Sequence, residues 1–211
     1  MSKVLGIVPA RKGSKGVKNK NKLIINGKPL IEYTINSALK SKIDKLVVST
    51  DCVDIRNISL KLGADSPFLR PKELSLDHSL TIDVVKHCLS FYQSLGEHYD
   101  TIILLQPTCP LRTFELINAA IEKLDSDPTI DSVVSVVDVE GNHPFRMKRI
   151  ENEKLVNYID LGYEDMRPRQ QLPKVYIRSG SIYAIRTNIL LKLNGLVGKS
   201  VYPIVERNED S

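Results

Sequence analysis

The chain has 211 residues, of which 42% are hydrophobic and 26% are charged, and its formal net charge is +5. This size suits one domain, or one domain with a small appendage, and no apolar run approaches the ~18 residues that a membrane-spanning helix needs. The basic residues are spread along the chain with acidic residues between them and form no visible nucleic-acid-binding module, so we expect neither a membrane nor a nucleic-acid partner.

The cysteines and the amino-terminal sequence bear on the cellular compartment. Cys52, Cys88 and Cys109 are an odd set without C-x-x-C spacing, which indicates free thiols and not a disulfide framework or a metal site. The first residues lead directly into an apolar run and have no signal-peptide layout. We therefore expect a cytoplasmic protein.

The first predicted element is a strand at residues 4–8, and a basic loop with two glycines follows it at residues 9–22 (PARKGSKGVKNKNK). Glycines let a backbone approach a bound group, and N–H groups together with cations bind anions. Open α/β sheets bind phosphates at this place. The loop matches neither G-x-x-x-x-G-K-[ST] nor G-x-G-x-x-G. A phosphate site is the main interpretation, and a solvated basic loop is the alternative.

Predicted helices and strands then alternate, which is typical of a doubly wound α/β layer fold. The expected helices span residues 30–39, 53–62, 81–95, 114–124 and 188–193, and the further strands span residues 45–49, 101–105, 132–137, 181–185 and 201–204. Residues 139–176 interrupt the alternation with a predicted hairpin (144–150 and 154–158) and a polar, proline-containing stretch. Long segments without helices are usually functional. We expect an α/β domain at 1–138 and 177–211, with 139–176 inserted.

Four further segments follow the basic loop, namely VVSTD at 47–51, RPKEL at 70–74, LQPTCPLRT at 105–113 and RQQLP at 169–173. In order and spacing, these segments and the loop resemble the nucleotide-sugar cytidylyltransferases, most closely the acylneuraminate branch of CMP-sialic acid synthetases. The resemblance covers nearly the whole chain. It implies a Rossmann-like, three-layer nucleotidyltransferase fold in which residues 139–176 form a β-rich arm that docks onto a second subunit of a homodimer.

The resemblance also implies a reaction and a nucleotide site. CMP would pass from CTP to the anomeric hydroxyl of a nine-carbon, sialic-type keto acid, with release of pyrophosphate and with Mg²⁺ as cofactor. Arg11 and Lys20 are the expected catalytic cations. The expected CTP contacts are Arg11, Gly13, Ser14, Lys15, Asn21, Arg70 and Thr81.

Alternatives stay open for several of these positions. Lys15 and Lys20 are also compatible with solvated surface lysines, and Arg70 with an ion pair to Glu73. Thr81 is equally suited to cap the helix that it precedes. Asp51 stands at the end of a predicted strand, where ligands gather, and is equally suited to cap the helix that begins at residue 53.

The expected contacts of the sugar acid are Gln106, Arg146, Arg169 and Tyr183. Arg169 is the choice for gripping the carboxylate, because a guanidinium binds a carboxylate through two parallel hydrogen bonds. The resemblance places Arg146 on the arm, where it reaches the neighbouring subunit's site. The role of Arg112 stays open at this point, and one interpretation is structural, in which Arg112 ties its loop to the following helix. Ser179 stands where the resembled family has asparagine, which weakens any transfer of the substrate's identity.

Two other functions are kept beside this one. A KDO cytidylyltransferase is the nearest enzyme, although its loop normally reads S-x-R-L-P-G-K and residues 14–17 here read SKGV. A CTP-binding protein with little turnover is the second. In the resembled family, metal-holding aspartates follow a stretch like the one that ends this chain, and no complete set is present here. The sequence therefore predicts a truncated chain in which Mg²⁺ raises CTP affinity only weakly.

Overall fold

The computed structural model describes residues 2–13 and 16–210, and a six-stranded sheet with helices on both faces dominates it. The strands are β1 (Val4–Pro9), β2 (Ile24–Ile25), β3 (Lys28–Pro29), β4 (Lys45–Ser49), β5 (Thr101–Leu104), β6 (Ser132–Asp138), β7 (Lys148–Glu151), β8 (Lys154–Asn157), β9 (Tyr176–Arg186) and β10 (Val201–Val205). The helices are α1 (Leu30–Leu39), α2 (Val53–Lys61), α3 (Thr81–Ser94), α4 (Phe114–Ser126) and α5 (Thr187–Leu193). The predicted α/β architecture is confirmed.

The main sheet has the strand order β10-β6-β9-β5-β1-β4. Strand β1 is central to its parallel part, since Ile7 lies opposite Val47 of β4 on one side and Leu104 of β5 on the other. Strand β9 is antiparallel to both of its neighbours, β5 and β6. The continuous apolar sequence of β5 is typical of a strand inside a parallel sheet. In the structure, β5 is parallel to β1 and antiparallel to β9. Its residues are buried on both faces of the sheet, which accounts for the apolar sequence in this mixed pairing.

Alternating residues of the strands divide the core into two clusters. Val4 and Val8 of β1 pack on the face that α1, α2 and α4 cover, whereas Leu5 and Ile7 pack on the face that α3 and α5 cover. This alternation is the period-2 geometry of a strand. Helix α2 ends before Gly63, whose φ of +94° is a conformation that glycine adopts without strain. Cys52, Cys88 and Cys109 are free, as predicted, and all three are buried.

The insertion between β6 and β9 has little core of its own. Its β7–β8 hairpin turns at Asn152 and Glu153, which both have positive φ, as a tight two-residue turn requires. Ile150 is 78% exposed and Leu155 is 69% exposed. The β6–β9 ladder pairs Asp138 with Tyr176, so β9 begins five residues before the predicted strand at 181–185. Arg178, Ser179 and Gly180 interrupt the apolar pattern in the first half of β9, so the sequence does not predict a strand there.

In the part of the chain that the structure describes, no helix combines the length and the apolar character needed to cross a membrane.

Candidate active site

A cavity of about 410 Å³ opens at the carboxyl ends of β1 and β5. Three loops form its wall: the loop after β1, the segment between α2 and α3 with the start of α3, and the loop after β5. The lining residues are Pro9, Arg11, Gly13, Lys20, Asn21, Arg70, Leu74, Leu76, Asp77, Ser79, Thr81, Val84, Gln106, Pro107 and Thr108. The structure therefore brings together residues that lie up to about a hundred positions apart in the sequence.

Two side-chain hydrogen bonds hold the loop after β1 in place. The Asp51 carboxylate, at the end of β4, accepts a hydrogen bond from the backbone N–H of Lys12 (2.7 Å). The Asn21 amide donates to the carbonyl of Arg11 (3.0 Å), and the Asn21 side chain is buried. Asp51 does not cap α2, because the N-cap position belongs to Cys52 and carries no side-chain capping bond. Its carboxylate is used to shape the loop.

Two cations of this loop, Arg11 and Lys20, line the cavity. Arg11 Nη1 forms an ion pair with Asp77 Oδ1 at 2.7 Å, across the mouth of the cavity from the first loop to the segment before α3. Gly13 also lines the cavity, which leaves room for a ligand beside the backbone. The predicted contacts Ser14 and Lys15 lie outside the described residues.

Arg70 is a buried charge at the edge of the cavity. Its side chain is 6% exposed, and its Nε and Nη2 find no hydrogen-bond partner among the described residues. Burial lowers the pKa of Arg70, and the nearby Asp51 carboxylate opposes that shift. The alternative ion pair with Glu73 is not among the ion pairs of the described residues. Unsatisfied buried donors beside a cavity are suited to a ligand oxygen or ring nitrogen.

Thr81 and Gln106 complete the polar wall. Thr81 is the first residue of α3 and lines the cavity, whereas the N-cap position is Leu80, without a side-chain capping bond. The capping role considered for Thr81 is therefore wrong. Gln106 lies two residues after the end of β5 and lines the cavity at the carboxyl end of that strand.

Arg112 is buried behind the loop that carries Gln106. Its Nε donates to the carbonyl of Ser181 in β9 (2.6 Å), and its Nη1 donates to Thr34 Oγ1 in α1 (3.3 Å). Its Nη2 donates to the carbonyl of Gln106 (2.5 Å). The expectation that Arg112 ties its loop to the following helix needs correction, since it ties the loop to α1 and β9. Those elements pack behind the loop, whereas α4 leads away from it.

The other three predicted sugar contacts do not line this cavity within one chain. Arg146 is exposed on the insertion and donates to the carbonyl of Arg167 (2.7 Å). Arg169 lines a separate cavity of about 310 Å³ at the base of the insertion, with its Nη2 3.9 Å from Glu140 Oε1. Tyr183 lies in β9 and packs against the core face covered by α3.

Sequence reasoning missed Asp77, Ser79 and Thr108 as wall residues. Thr108 lies inside a motif that was recognised, so its position was a usable signal. Asp77 and Ser79 lie in a loop whose path no periodicity or spacing reveals.

The donor set for a metal ion is incomplete. Within the described ranges 2–13 and 16–210, no three His, Cys, Asp or Glu side chains are grouped so that they could hold a metal. Asp77 supplies a carboxylate to the described cavity wall, and Arg11 engages it. Mg²⁺ is usually held by one or two carboxylates together with substrate phosphates, and the described residues do not by themselves form a complete ligand set for it.

Comparison with known proteins connects this geometry to a family. The family model described as cytidylyltransferase matches residues 5–203, which include the whole cavity wall. The chain belongs to the cytidylyltransferase family. It is therefore a nucleotidyltransferase by family, and the resemblance recognised from the five sequence segments is confirmed.

Several curated members of the cytidylyltransferase family are similar over much of this chain. The N-acylneuraminate cytidylyltransferase of Escherichia coli is 37% identical over 77% of this chain, which spans only 38% of that protein. The CMP-N,N'-diacetyllegionaminic acid synthase of Legionella pneumophila is 32% identical, and the match covers 96% of this chain and 86% of the Legionella protein. The pseudaminic acid cytidylyltransferase of Campylobacter jejuni is 35% identical, with coverages of 86% and 77%.

Several solved structures share the fold at lower identity. A CMP:2-keto-3-deoxy-manno-octonic acid synthetase complexed with CTP superposes with a TM-score of 0.69 at 18% identity, covering 97% of this chain and 91% of that one. A 4-diphosphocytidyl-2C-methyl-D-erythritol synthase superposes with a TM-score of 0.65 at 12% identity, covering 100% and 92%. At these identities the likeness supports the fold alone.

Proposed function

We propose that this cytidylyltransferase transfers CMP from CTP to the anomeric hydroxyl of a nonulosonic acid. The observation that carries the proposal is the convergence of Arg11, Lys20 and Arg70 on one cavity at the carboxyl edge of the sheet. A triphosphate needs such cations, and relatives named for N-acylneuraminate, legionaminic acid and pseudaminic acid point to the acceptor. The KDO alternative is supported only by a structural neighbour at 18% identity.

The chemistry is a displacement at the α-phosphorus. The sugar hydroxyl oxygen forms a bond to that phosphorus, the bond to the β-phosphate oxygen breaks, pyrophosphate leaves with the bonding electrons, and the hydroxyl proton is released. Catalysis of such steps is mainly positioning and charge stabilisation. In this proposal, Arg11 and Lys20 bind the triphosphate and the departing pyrophosphate, which their position on the cavity wall supports. The Nε and Nη2 of Arg70, which have no partner among the described residues, are available to hydrogen-bond acceptors of the nucleotide.

The sugar acid requires contacts beyond this wall. In this proposal, Gln106 binds its hydroxyl groups, whereas Arg146, Arg169 and Tyr183 lie away from the cavity in one chain. We propose that a second subunit completes the site, with the insertion at 139–176 as the dimerisation arm. The exposed Ile150, Leu155 and other apolar side chains of the insertion support a homodimer with two-fold symmetry.

Magnesium and a cytoplasmic location are also part of the proposal. Mg²⁺ is inferred from the family resemblance, and no catalytic step is derived through it because the described residues lack a fitting ligand set. The three free, buried thiols support a reducing compartment.

A pyrophosphate-release assay with CTP tests the proposal. The purified chain is given N-acetylneuraminic, legionaminic, pseudaminic and 3-deoxy-manno-octulosonic acids in turn. We expect release with at least one of the three nine-carbon acids and none with the eight-carbon acid. Pyrophosphate release with the eight-carbon acid alone would show a KDO cytidylyltransferase. If the chain binds CTP but releases pyrophosphate with none of the four acids, it is a CTP-binding protein.

A further inference from the structure

One buried arginine holds the loop that carries Gln106. Arg112 is 4% exposed, and its guanidinium donates to three oxygens, on Thr34, Gln106 and Ser181. Two of these oxygens are backbone carbonyls, one is a hydroxyl, and none is a carboxylate. Burial lowers the pKa of Arg112 to about 10, so the guanidinium stays charged at neutral pH. A single side chain thereby fixes the loop to α1 and to β9.

The side chain of Gln106 is confined by β9. Gly180 has a φ of +88°, and a Cβ built on it would lie 3.2 Å from Gln106 Oε1. The Gln106 amide therefore lies directly against the β9 backbone, where the β6–β9 ladder changes register. Irregular strand pairing of this kind often redirects side chains next to active sites. The thiol of Cys109 donates to the carbonyl of Ser179 (3.8 Å), which attaches the same loop to the same strand.

We propose that Arg112 is a positioning residue, which acts through Gln106 to orient the sugar acid. This rests on the proposed function, in which Gln106 contacts the sugar acid. Arg112 does not line the cavity, so any effect on the substrate passes through the groups that it holds. Arg112→Lys is the informative variant, because lysine keeps the charge and has a single nitrogen that cannot bond three acceptors in these directions.

The first experiment is a double-mutant cycle between Arg112→Lys and Gln106→Ala, with KM measured for CTP and for the best acid of the panel. We expect Arg112→Lys to raise the KM for the acid roughly tenfold to hundredfold, since small misplacements are costly, and to leave the KM for CTP within about twofold. On the Gln106→Ala background, Arg112→Lys should have little further effect, because the two residues act as a unit. Additive effects, or equal increases in both KM values, would contradict the proposal.

Arg186 provides a matched control. Its guanidinium also donates to three backbone carbonyls, those of Leu124, Asp127 and Ile130, but at the opposite end of the strands, where Arg186 pairs with Thr101 at the start of β5. Arg186→Lys should lower the melting temperature as Arg112→Lys does and should leave both KM values unchanged. A rise in the KM for the acid in this control would show that lost stability, and not positioning, causes the effect.

A second measurement needs no turnover. In full-length protein with ¹⁵N-labelled glutamine, the side-chain amide signals of Gln106 are assigned by their loss in Gln106→Ala. We expect Arg112→Lys to shift these two signals to positions typical of exposed glutamines and Arg186→Lys to leave them in place. Unchanged signals in Arg112→Lys would overturn the inference. If the signals move but Gln106→Ala leaves the KM for the acid unchanged, the assigned substrate role of Gln106 is wrong, and only the positioning of the amide stands.

Discussion

At the scale of single residues, the cavity holds its cations in two different ways. Arg11 is paired with Asp77 on the surface, with side chains that are 31% and 48% exposed. Arg70 is buried with two donor atoms that lack partners among the described residues. The first arrangement costs little to rearrange, whereas the second is maintained against the cost of burying a charge.

The two loop cations should dominate turnover. We expect Arg11→Ala and Lys20→Ala each to lower kcat/KM about a hundredfold, because removing one preorganised charge-stabilising group costs ~3 kcal/mol. The measurement is steady-state pyrophosphate release, with circular dichroism to show that the fold is intact. Near-native rates in either folded variant would remove that residue from the active site.

Asp77 should compete with the triphosphate for Arg11. We expect Asp77→Asn to tighten CTP binding by about two- to fivefold, since an exposed ion pair contributes at most ~1 kcal/mol. Calorimetric titration of CTP measures this. Asp54→Asn is the matched control, because Asp54 pairs with Lys22 at the same 2.7 Å, and neither residue lines the cavity. Weaker CTP binding in Asp77→Asn would indicate that Asp77 helps to bind the nucleotide.

Arg70 should lower the stability of the ligand-free protein and raise its affinity for CTP. We expect Arg70→Met to raise the free energy of unfolding of the ligand-free protein by about 1 kcal/mol, because an apolar side chain removes the desolvation cost of the charge. The same variant should lose most of its CTP affinity. Urea unfolding and CTP titration test the two halves separately. Arg56→Met is the control and should lower stability, since Arg56 Nε donates to the carbonyl of Ser66 (2.9 Å). A destabilised Arg70→Met would contradict this account.

At the scale of elements, local sequence patterns determined most of what could be predicted. Helix α1 and strand β4 have the predicted bounds because apolar spacing, a preceding proline and short apolar runs are local signals. The first half of β9 was missed because Arg178, Ser179 and Gly180 interrupt its apolar pattern, and its partners in β6 are distant in the sequence. Arg112 reaches Ser181 and Thr34 across 69 and 78 residues. Contacts of that range leave no trace in local spacing.

Within the insertion, Asp165 supports the stretch after the β7–β8 hairpin. Its buried carboxylate accepts hydrogen bonds from the Arg167 side chain and backbone, and these bonds lower the pKa of Asp165 to about 2. A lowered pKa means that its stabilising contribution is complete above pH ~4 and is lost as the pH falls towards 2. We expect Asp165→Asn to lower the melting temperature by a constant amount from pH 7 to 5, and by less below pH 4.

The control for this pH dependence is Asp160→Asn. Asp160 is exposed and accepts one backbone hydrogen bond, from Gly162. The melting temperature of the Asp160→Asn variant should differ little from that of the original chain across this pH range. A difference for Asp165→Asn that grows as the solution becomes more acidic would have the wrong sign for this mechanism.

At the scale of the whole molecule, the insertion should control assembly. We expect Leu155→Asp to convert a dimer into a monomer at micromolar concentration, because a charge on an apolar interface is costly to bury. Leu155 is 69% exposed in one chain, so the monomer should keep its melting temperature within a few degrees. Light scattering measures the mass. Leu95→Asp is the control, since Leu95 is 60% exposed outside the insertion. A monomeric original chain would refute the dimer.

The reversed direction of β9 has a consequence for how the chain acquires its structure. The strand separates two parallel blocks, β4-β1-β5 and β6-β10, which share no direct strand pairing. During synthesis, residues 1–138 leave the ribosome with β5 and β6 each lacking the neighbour that will join them. Pairing over such sequence separations is slow. Until residue 186 has emerged, one edge of β5 and both edges of β6 therefore lack partners, and the second edge of β6 waits for β10 at Val201–Val205. This interval is when the nascent chain most needs protection from aggregation.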